Sequence, residues 1–512
     1  MLYPLTTRQD AGAPAFTMCG SREVVTFGQL DARSNQAAHV FRACGVRRGE
    51  HVALLMKNDR VLLEACFGAE RAGLYYTTMS TRLTAAELAF IVRDCGARVL
   101  LVSSTLSDVA AQLRPMLQPG VRCFLAGDVA PGWEDWNATS AAMPTTPIAD
   151  EAQGSDMLYS SGTTGRPKGV KWPLLDAPAG TRTFLVNLLE DLFGYGPGCR
   201  YLSPAPLYHA APLRHSMTTI KLGGSVFQME HFDAETALAL VEEHQITHSQ
   251  WVPTMFVRML KLPREVRERC EVSSMRVAVH AAAPCPVEVK ERMIAWWGPV
   301  LHEYYAGTEN NGFCAITTAE WMRHKGSVGR AVQGKLHVCD EGGREVPAGE
   351  TGVVYFSDGP EFTYHNDPER TAQAHDARGW STLGDIGRVD EDGYLYLVDR
   401  KAFTIISGGV NVYPQEIEDV LVAHPDVLDA AVFGVPNEDL GEEVKAIVQP
   451  VASAQAGPAL EATLIAHCRQ RLASYKCPRT IEFMEQLPRH PTGKLHKKAL
   501  RERYWPVDTH RR

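Results

Sequence analysis

Tyr159-Ser-Ser-Gly-Thr-Thr-Gly-Arg-Pro-Lys-Gly-Val170 packs three glycines, four aliphatic hydroxyls and two cations into twelve residues. Met157 and Leu158 precede it, so the stretch reads as a strand running into a loop. Glycine lets a backbone take positive φ and come close to a ligand. Successive N–H groups can then form a concave anion site. With hydroxyl donors and the charges of Arg166 and Lys168, the loop suits a polyphosphate. It is not a Walker A loop, which needs four residues between its glycines and Lys-Ser/Thr after the second. Here two residues separate Gly162 from Gly165, and Gly169 follows Lys168.

Working outward, the first ~150 residues alternate strand-like and helix-like segments, the rhythm of an α/β sheet with helices on its faces. Val52–Met56 and Arg98–Ser103 are apolar runs suited to buried strands, and Thr84-Ala-Ala-Glu87 is a capping box opening a helix between them. Met275–Val279 reads as another short strand. Pro and Gly cluster at 341–360 around short strands such as Gly352–Phe356, which marks a smaller β-rich region. Near Asp399–Ala402 the pattern restarts: a helix over Gln415–Ala423, strands at Ala430–Phe433 and Lys445–Val448, and a helix over Leu460–Leu472. About 110 residues can bury their own core. The expected organisation is a large α/β N-terminal body over 1–398, a hinge at 399–402, and a small mobile α+β lid over 403–512.

The 512 residues are 45% hydrophobic and 22% charged, the composition of a soluble globular chain of two or more domains. The net charge of −8 argues against nucleic acid as a main partner. No apolar run approaches the ~20 residues needed to span a bilayer. The N-terminus lacks a signal-peptide layout. Twelve cysteines without CxxC pairs read as reduced thiols, and the chain as cytoplasmic.

Further motifs follow the glycine-rich loop in order: Pro206-Leu-Tyr-His-Ala-Ala-Pro212, Ala281-Ala-Ala-Pro284, Tyr304-Tyr-Ala-Gly-Thr-Glu309, Thr382-Leu-Gly-Asp-Ile-Gly387, Ser407–Glu418 and Pro488-Arg-His-Pro-Thr-Gly-Lys494. Together they closely resemble the adenylate-forming superfamily of acyl-CoA synthetases, peptide-synthetase adenylation domains and beetle luciferases, over nearly the whole chain. The resemblance implies ATP, Mg²⁺ and coenzyme A as cosubstrates and cofactor, and a small-molecule carboxylic acid as substrate. It implies that Ser160, Ser161, Gly162, Thr163, Thr164, Gly165 and Lys168 hold phosphates, and that Ala283 and Pro284 line the adenine turn. Tyr305 would stack on adenine, Asp385 and Arg400 would hold the ribose, and Glu309 and Thr163 would hold Mg²⁺. Thr308 would meet a phosphate or the acyl carboxylate, His209 would lie beside the acyl group, and Ser407, Gly408 and Gly409 would pass along pantetheine. Lys494 would be the catalytic lysine; it begins a basic tail with Lys497, Lys498, Arg501 and Arg503, which reads as mostly a solvated helix face.

This chain departs from the family at three places. Ala306 stands where Gly is usual, and Ala402 and Phe403 replace the charged residues common after the hinge arginine. The stretches expected around the acyl group, His209, Ser249–Pro253, Ala281–Ala283 and Gly307, are small or apolar and carry no cation. An apolar acid is therefore expected: fatty, alicyclic, steroid-side-chain or aryl. Arg471 and the 475–479 segment offer cations for the phosphates of coenzyme A. Transfer of the acyl group to a carrier protein, luciferase-like oxygenation and nucleotide binding without catalysis remain open at this level, as does a homodimer, common among such enzymes.

Overall fold

The computed structural model describes residues 11–161, 167–400, 403–408, 410–437, 439–452, 456–489 and 495–505, and of Ser161 and Arg400 the backbone only. They fall into two compact units, the first built from 1–250, 270–278 and 361–371, the second from 251–269, 279–360 and 372–512.

The first unit holds a parallel sheet in the order Glu134–Asp135, Arg122–Ala126, Ala97–Ser103, His51–Leu55, Tyr75–Thr78, Ser155–Asp156. Every residue of His51–Leu55 is buried, as expected for a central strand covered on both faces, and this is why it reads as a continuous apolar run. The capping box forms as read: Thr84 accepts from the Glu87 N–H, and Glu87 accepts from that of Thr84, opening helix Ala85–Asp94. In a second sheet, Arg200–Ser203, Ser225–Gln228 and Pro14–Met18 run parallel to one another. A third, antiparallel sheet joins Leu158–Ser161, Pro167–Lys171 and Thr363–Tyr364.

The second unit contains the β-rich region as a four-stranded antiparallel sheet: Lys335–Cys339, Gly352–Ser357, Asp385–Val389, Leu395–Arg400. Leu301–Tyr305, Phe313–Ile316 and Arg330–Gln333 form an antiparallel meander. The C-terminal elements build another sheet, in which Val427–Asn437 and Gly441–Pro450 pair along almost their whole length. The predicted strands at 430–433 and 445–448 are the centres of this longer hairpin. Helices Pro414–Ala423 and Pro458–Arg469 pack on it, and Ile417, Leu421, Val432, Val448, Leu464 and Cys468 close a core. The expected helix to Leu472 stops at Arg469, where the chain turns and the Leu472 N–H returns to the Cys468 carbonyl at 2.8 Å. Among the described residues no helix is long and apolar enough to cross a membrane. All twelve cysteines are free.

Candidate active site

In the first unit, the glycine-rich loop closes a hairpin between Leu158–Ser161 and Pro167–Lys171, with Lys168 opposite Ser160 and Gly169 opposite Tyr159. Gly162, Thr163, Thr164 and Gly165 lie outside the described residues, as does the side chain of Ser161. The loop's stems are firmly set. Lys168 Nζ donates to Tyr364 Oη at 2.7 Å and stands 4.3 Å from the centre of that ring. A Cβ on Gly169 would come within 2.9 Å of the Tyr159 ring, so a larger residue there would have to displace that ring. Tyr159 in turn donates to Asp94. The Ser160 hydroxyl is buried and has no hydrogen-bond partner among the described residues. Such a group costs ~1–3 kcal/mol when left unmade, which fits a donor kept for a ligand's oxygen.

His209 caps helix Ala210–Lys221 without a side-chain capping bond, its ring edge-on to Tyr208 at 4.5 Å. The segment before it is fixed by Asn58, whose Nδ2 donates to the carbonyls of Ala205 (3.1 Å) and Met229 (2.8 Å) and whose Oδ1 accepts from the Leu207 N–H (2.8 Å).

In the second unit the turn 281–284 carries Ala282 at φ +77°, a conformation a non-glycine residue rarely adopts. Ala283 and Pro284 are exposed beyond it. Beneath, Lys290 donates to Glu303 at 2.6 Å, and both are almost wholly buried, with His280 Nε2 3.5 Å from the same carboxylate. This pair ties helix Val287–Trp297 to strand Leu301–Tyr305. At the end of that strand Tyr305 Oη donates to Asp385 Oδ2 at 2.6 Å. Asp385 is 6% exposed and pairs across its ladder with Arg400. Glu309 is 4% exposed, and a Cβ on Gly307 would crowd Leu383 at 2.6 Å and Glu309 at 2.8 Å. Thr308 lies between them in the chain. A buried carboxylate is a hard oxygen donor and suits Mg²⁺. Trp251, expected near the acyl group, is wholly buried in the core against Trp297 (5.7 Å) and Phe256 (6.2 Å).

Ser407 faces Val410 in a tight hairpin, with Gly408 at φ +58° and its N–H on the Leu440 carbonyl at 2.8 Å; Gly409 is outside the described residues. Lys494 is also outside them, as are Lys401 and Ala402, and Arg400 is described in its backbone only. Of the cations expected for coenzyme A, Lys476 is held by Glu416 at 2.6 Å, and Arg479 stands 3.8 Å from Glu443. The tail after Lys494 is not a uniformly solvated face: Lys497 is 8% exposed and paired with Glu418 at 2.8 Å, and Arg501 binds Glu442 at 2.9 Å. A partner distant in sequence turns a charge run inward, and no pattern within the run itself signals it. Tyr364 and Asn58 were likewise illegible, being single polar residues whose partners lie far along the chain.

A profile of AMP-binding enzymes matches residues 6–362, and one of the AMP-binding enzyme C-terminal domain matches 416–494. The chain belongs to the AMP-binding enzyme family. It is 33% identical over 492 residues to a long-chain-fatty-acid–CoA ligase of Mycobacterium tuberculosis, covering 94% of this chain and 93% of that one. It is 32% identical over 498 residues to a fatty acid–[acyl-carrier-protein] ligase of Streptomyces coeruleorubidus, covering 95% and 93%. The solved anthranilate CoA ligase AuaEII in complex with anthranoyl-AMP superposes with a TM-score of 0.84 at 26% identity, over 98% of this chain and 96% of that one. The AMP-binding family member described here sits in the acyl-CoA ligase branch of the adenylate-forming superfamily, whose reactions use ATP, Mg²⁺ and coenzyme A.

Proposed function

We propose that this chain is an AMP-forming acyl-CoA ligase acting on an apolar carboxylic acid in the cytoplasm. In the first step a carboxylate oxygen attacks the α-phosphorus of ATP and pyrophosphate leaves. In the second the sulfur of coenzyme A attacks the acyl carbon and AMP leaves. The observation that carries the reading is the Tyr305–Asp385 hydrogen bond: the residues assigned to adenine and ribose, 80 positions apart, are adjacent in space.

Charge develops on oxygen in both steps, so fixed donors and cations do most of the catalytic work. Ser160, Ser161, the N–H groups of Gly162 to Gly165 and Lys168 hold the phosphates; Tyr364 keeps the Lys168 ammonium in place. Glu309 and Thr163 would hold Mg²⁺, which would supply charge neutralisation to the phosphate oxygens. Tyr305 and the turn at Ala283 and Pro284 bind adenine, and Asp385 and Arg400 bind the ribose. Thr308 holds the acyl carboxylate, and His209 stands against the acyl group. Residues 403–512 act as a lid turning about 399–402, supported by the separate core the C-terminal elements close. Ser407, Gly408 and Gly409 meet pantetheine after that turn. Lys494 serves the first step alone, clamping carboxylate and α-phosphate.

The half-reactions test this assignment. Lys494→Ala is expected to lower adenylate formation by ~10²–10³ and to leave thioester formation from supplied acyl-adenylate intact. Equal loss in both would remove the role from Lys494. Transfer to a carrier protein is the second reading, favoured by the likeness to a fatty acid–[acyl-carrier-protein] ligase. An enzyme that makes adenylate but no thioester with free coenzyme A would establish it.

A further inference from the structure

Four consecutive residues of strand Tyr75–Thr78 hold three other segments of the first unit. Tyr75 Oη donates to the Trp172 carbonyl at 2.6 Å. The Tyr76 carbonyl accepts the Met157 N–H at 3.0 Å, and Thr77 Oγ1 donates to the Met157 carbonyl at 2.7 Å. Thr78 Oγ1 donates to the Tyr208 carbonyl at 3.3 Å. Met157 immediately precedes strand Leu158–Ser161, which carries Ser160, and Trp172 immediately follows strand Pro167–Lys171, which carries Lys168. Tyr208 precedes His209, the cap of helix Ala210–Lys221. From that helix Arg214 ties the same segments together a second time. Its Nη2 and Nε donate to Asp156 Oδ2 at 2.8 and 3.3 Å, and its guanidinium lies 4.4 Å from the centre of the Trp172 ring. Asp156 stands next to Met157, so one side chain reaches the roots of both strands. The Arg214 and Asp156 side chains are 13% and 11% exposed, which leaves the pair largely desolvated.

We propose that Arg214 is a positioning residue for adenylation: it joins the roots of strands Leu158–Ser161 and Pro167–Lys171 to helix Ala210–Lys221 and so sets Ser160 and Lys168 in register with His209. The inference rests on the assignment of Ser160 and Lys168 to phosphate, and of His209 to the acyl group, under the proposed function. Adenylation joins two separately bound substrates, so its rate depends on how their two sites stand to each other. A displacement of 1 Å can cost ~10²-fold. Thioester formation starts from the acyl-adenylate, in which acyl group and phosphate are already one molecule, and places no such demand. The side chain suits the task. A guanidinium is a planar fork that turns two N–H donors to a carboxylate while its face stacks on an aromatic ring; an ammonium is a point charge and cannot do both. Stability alone gives less reason for the pair, because a buried ion pair is often no better than apolar residues of the same volume.

The test uses the full-length enzyme, the acid it turns over fastest and the synthetic adenylate of that acid. Arg214→Met is expected to lower kcat for pyrophosphate release by ~10- to 100-fold, with KM for ATP and for the acid within about three-fold and the thioester half-reaction within about two-fold. Arg214→Met combined with Asp156→Leu leaves no buried charge unpaired, so it should melt close to wild type while adenylation stays ~10- to 100-fold down. If Arg214→Met does not fold, this double variant carries the test. Unchanged adenylation, equal loss in both half-reactions, or recovery of adenylation in the double variant overturns the proposal. So does a raised KM for the acid at unchanged kcat, which would make Arg214 a wall of the acid site. Wild type separates the two levels. If it releases no pyrophosphate with any acid, the reaction falls and the role of Arg214 with it. If it does and Arg214→Met matches it, the role of Arg214 alone falls. If wild type adenylates but forms no thioester, the kcat and KM readings decide.

Discussion

Tyr305 donates a 2.6 Å hydrogen bond to Asp385, and Asp385 faces Arg400 across the antiparallel ladder of Asp385–Val389 and Leu395–Arg400. The phenol therefore does two things: its ring offers an aromatic face and its hydroxyl orients a carboxylate. Removing the hydroxyl alone separates them. A hydrogen bond to a charged group contributes ~1.5–3 kcal/mol. Tyr305→Phe is expected to raise KM for ATP by about ten-fold or more with kcat nearly unchanged, whereas Tyr305→Ala should lose more by removing the ring as well. Steady-state pyrophosphate release against ATP concentration measures both; identical KM values for wild type and Tyr305→Phe would contradict the role.

The buried Lys290–Glu303 pair supports the turn 281–284 and the strand that ends in Tyr305. Burial pushes the Glu303 carboxyl up and Lys290 opposes it; His280 beside them is pushed well down by burial and stays neutral. Breaking such a pair leaves a charge buried without its counter-ion, at ~3–5 kcal/mol. Lys290→Met should therefore lower the melting temperature sharply, and Lys290→Met with Glu303→Leu should recover most of it. Thermal melts of both decide this; a single variant as stable as wild type would show that the pair is not what holds these elements.

Much of this architecture was legible because it is written in local patterns. The capping box at Thr84 and Glu87, the apolar strand at 52–56 and the helix expected over 415–423 each depend on neighbours in sequence, and each has its counterpart in the structure. The helix expected to reach Leu472 ends at Arg469 because the turn that stops it involves backbone bonds no side-chain period reveals. The site divides the same way. Motif strings singled out Tyr305 and Asp385. They could not disclose Tyr364 under Lys168, Asn58 behind residues 205–207, or Glu418 facing Lys497. Those contacts join segments 79 to 196 residues apart. Lys497 differs from the solvated face expected of its charge run for the same reason: its partner Glu418 lies far away in sequence.

The Glu418 carboxyl is pushed up to about 7 and Asp419 to about 6, in both cases by burial, with Lys497 pulling down. A folded pKa above the unfolded value means that the native state holds more protons between the two. For Glu418 folding stability then falls as pH rises from about 4.5 to about 7 and is flat above. Glu418→Gln lacks this proton. The stability of wild type relative to Glu418→Gln should therefore decline by on the order of 1–3 kcal/mol from pH 5 to pH 8. Denaturant titrations of both proteins across that range measure the difference. A difference independent of pH would show that Glu418 titrates in its ordinary range.

Pyrophosphate release with Mg-ATP should be measured across acetate, fatty acids to C18, benzoates, cinnamates, amino acids and steroid acids, each with and without coenzyme A. Release is expected to require an apolar acid, with AMP and a coenzyme A thioester as products. Release from every active acid without any thioester, or activity confined to amino acids, would contradict the proposed reaction.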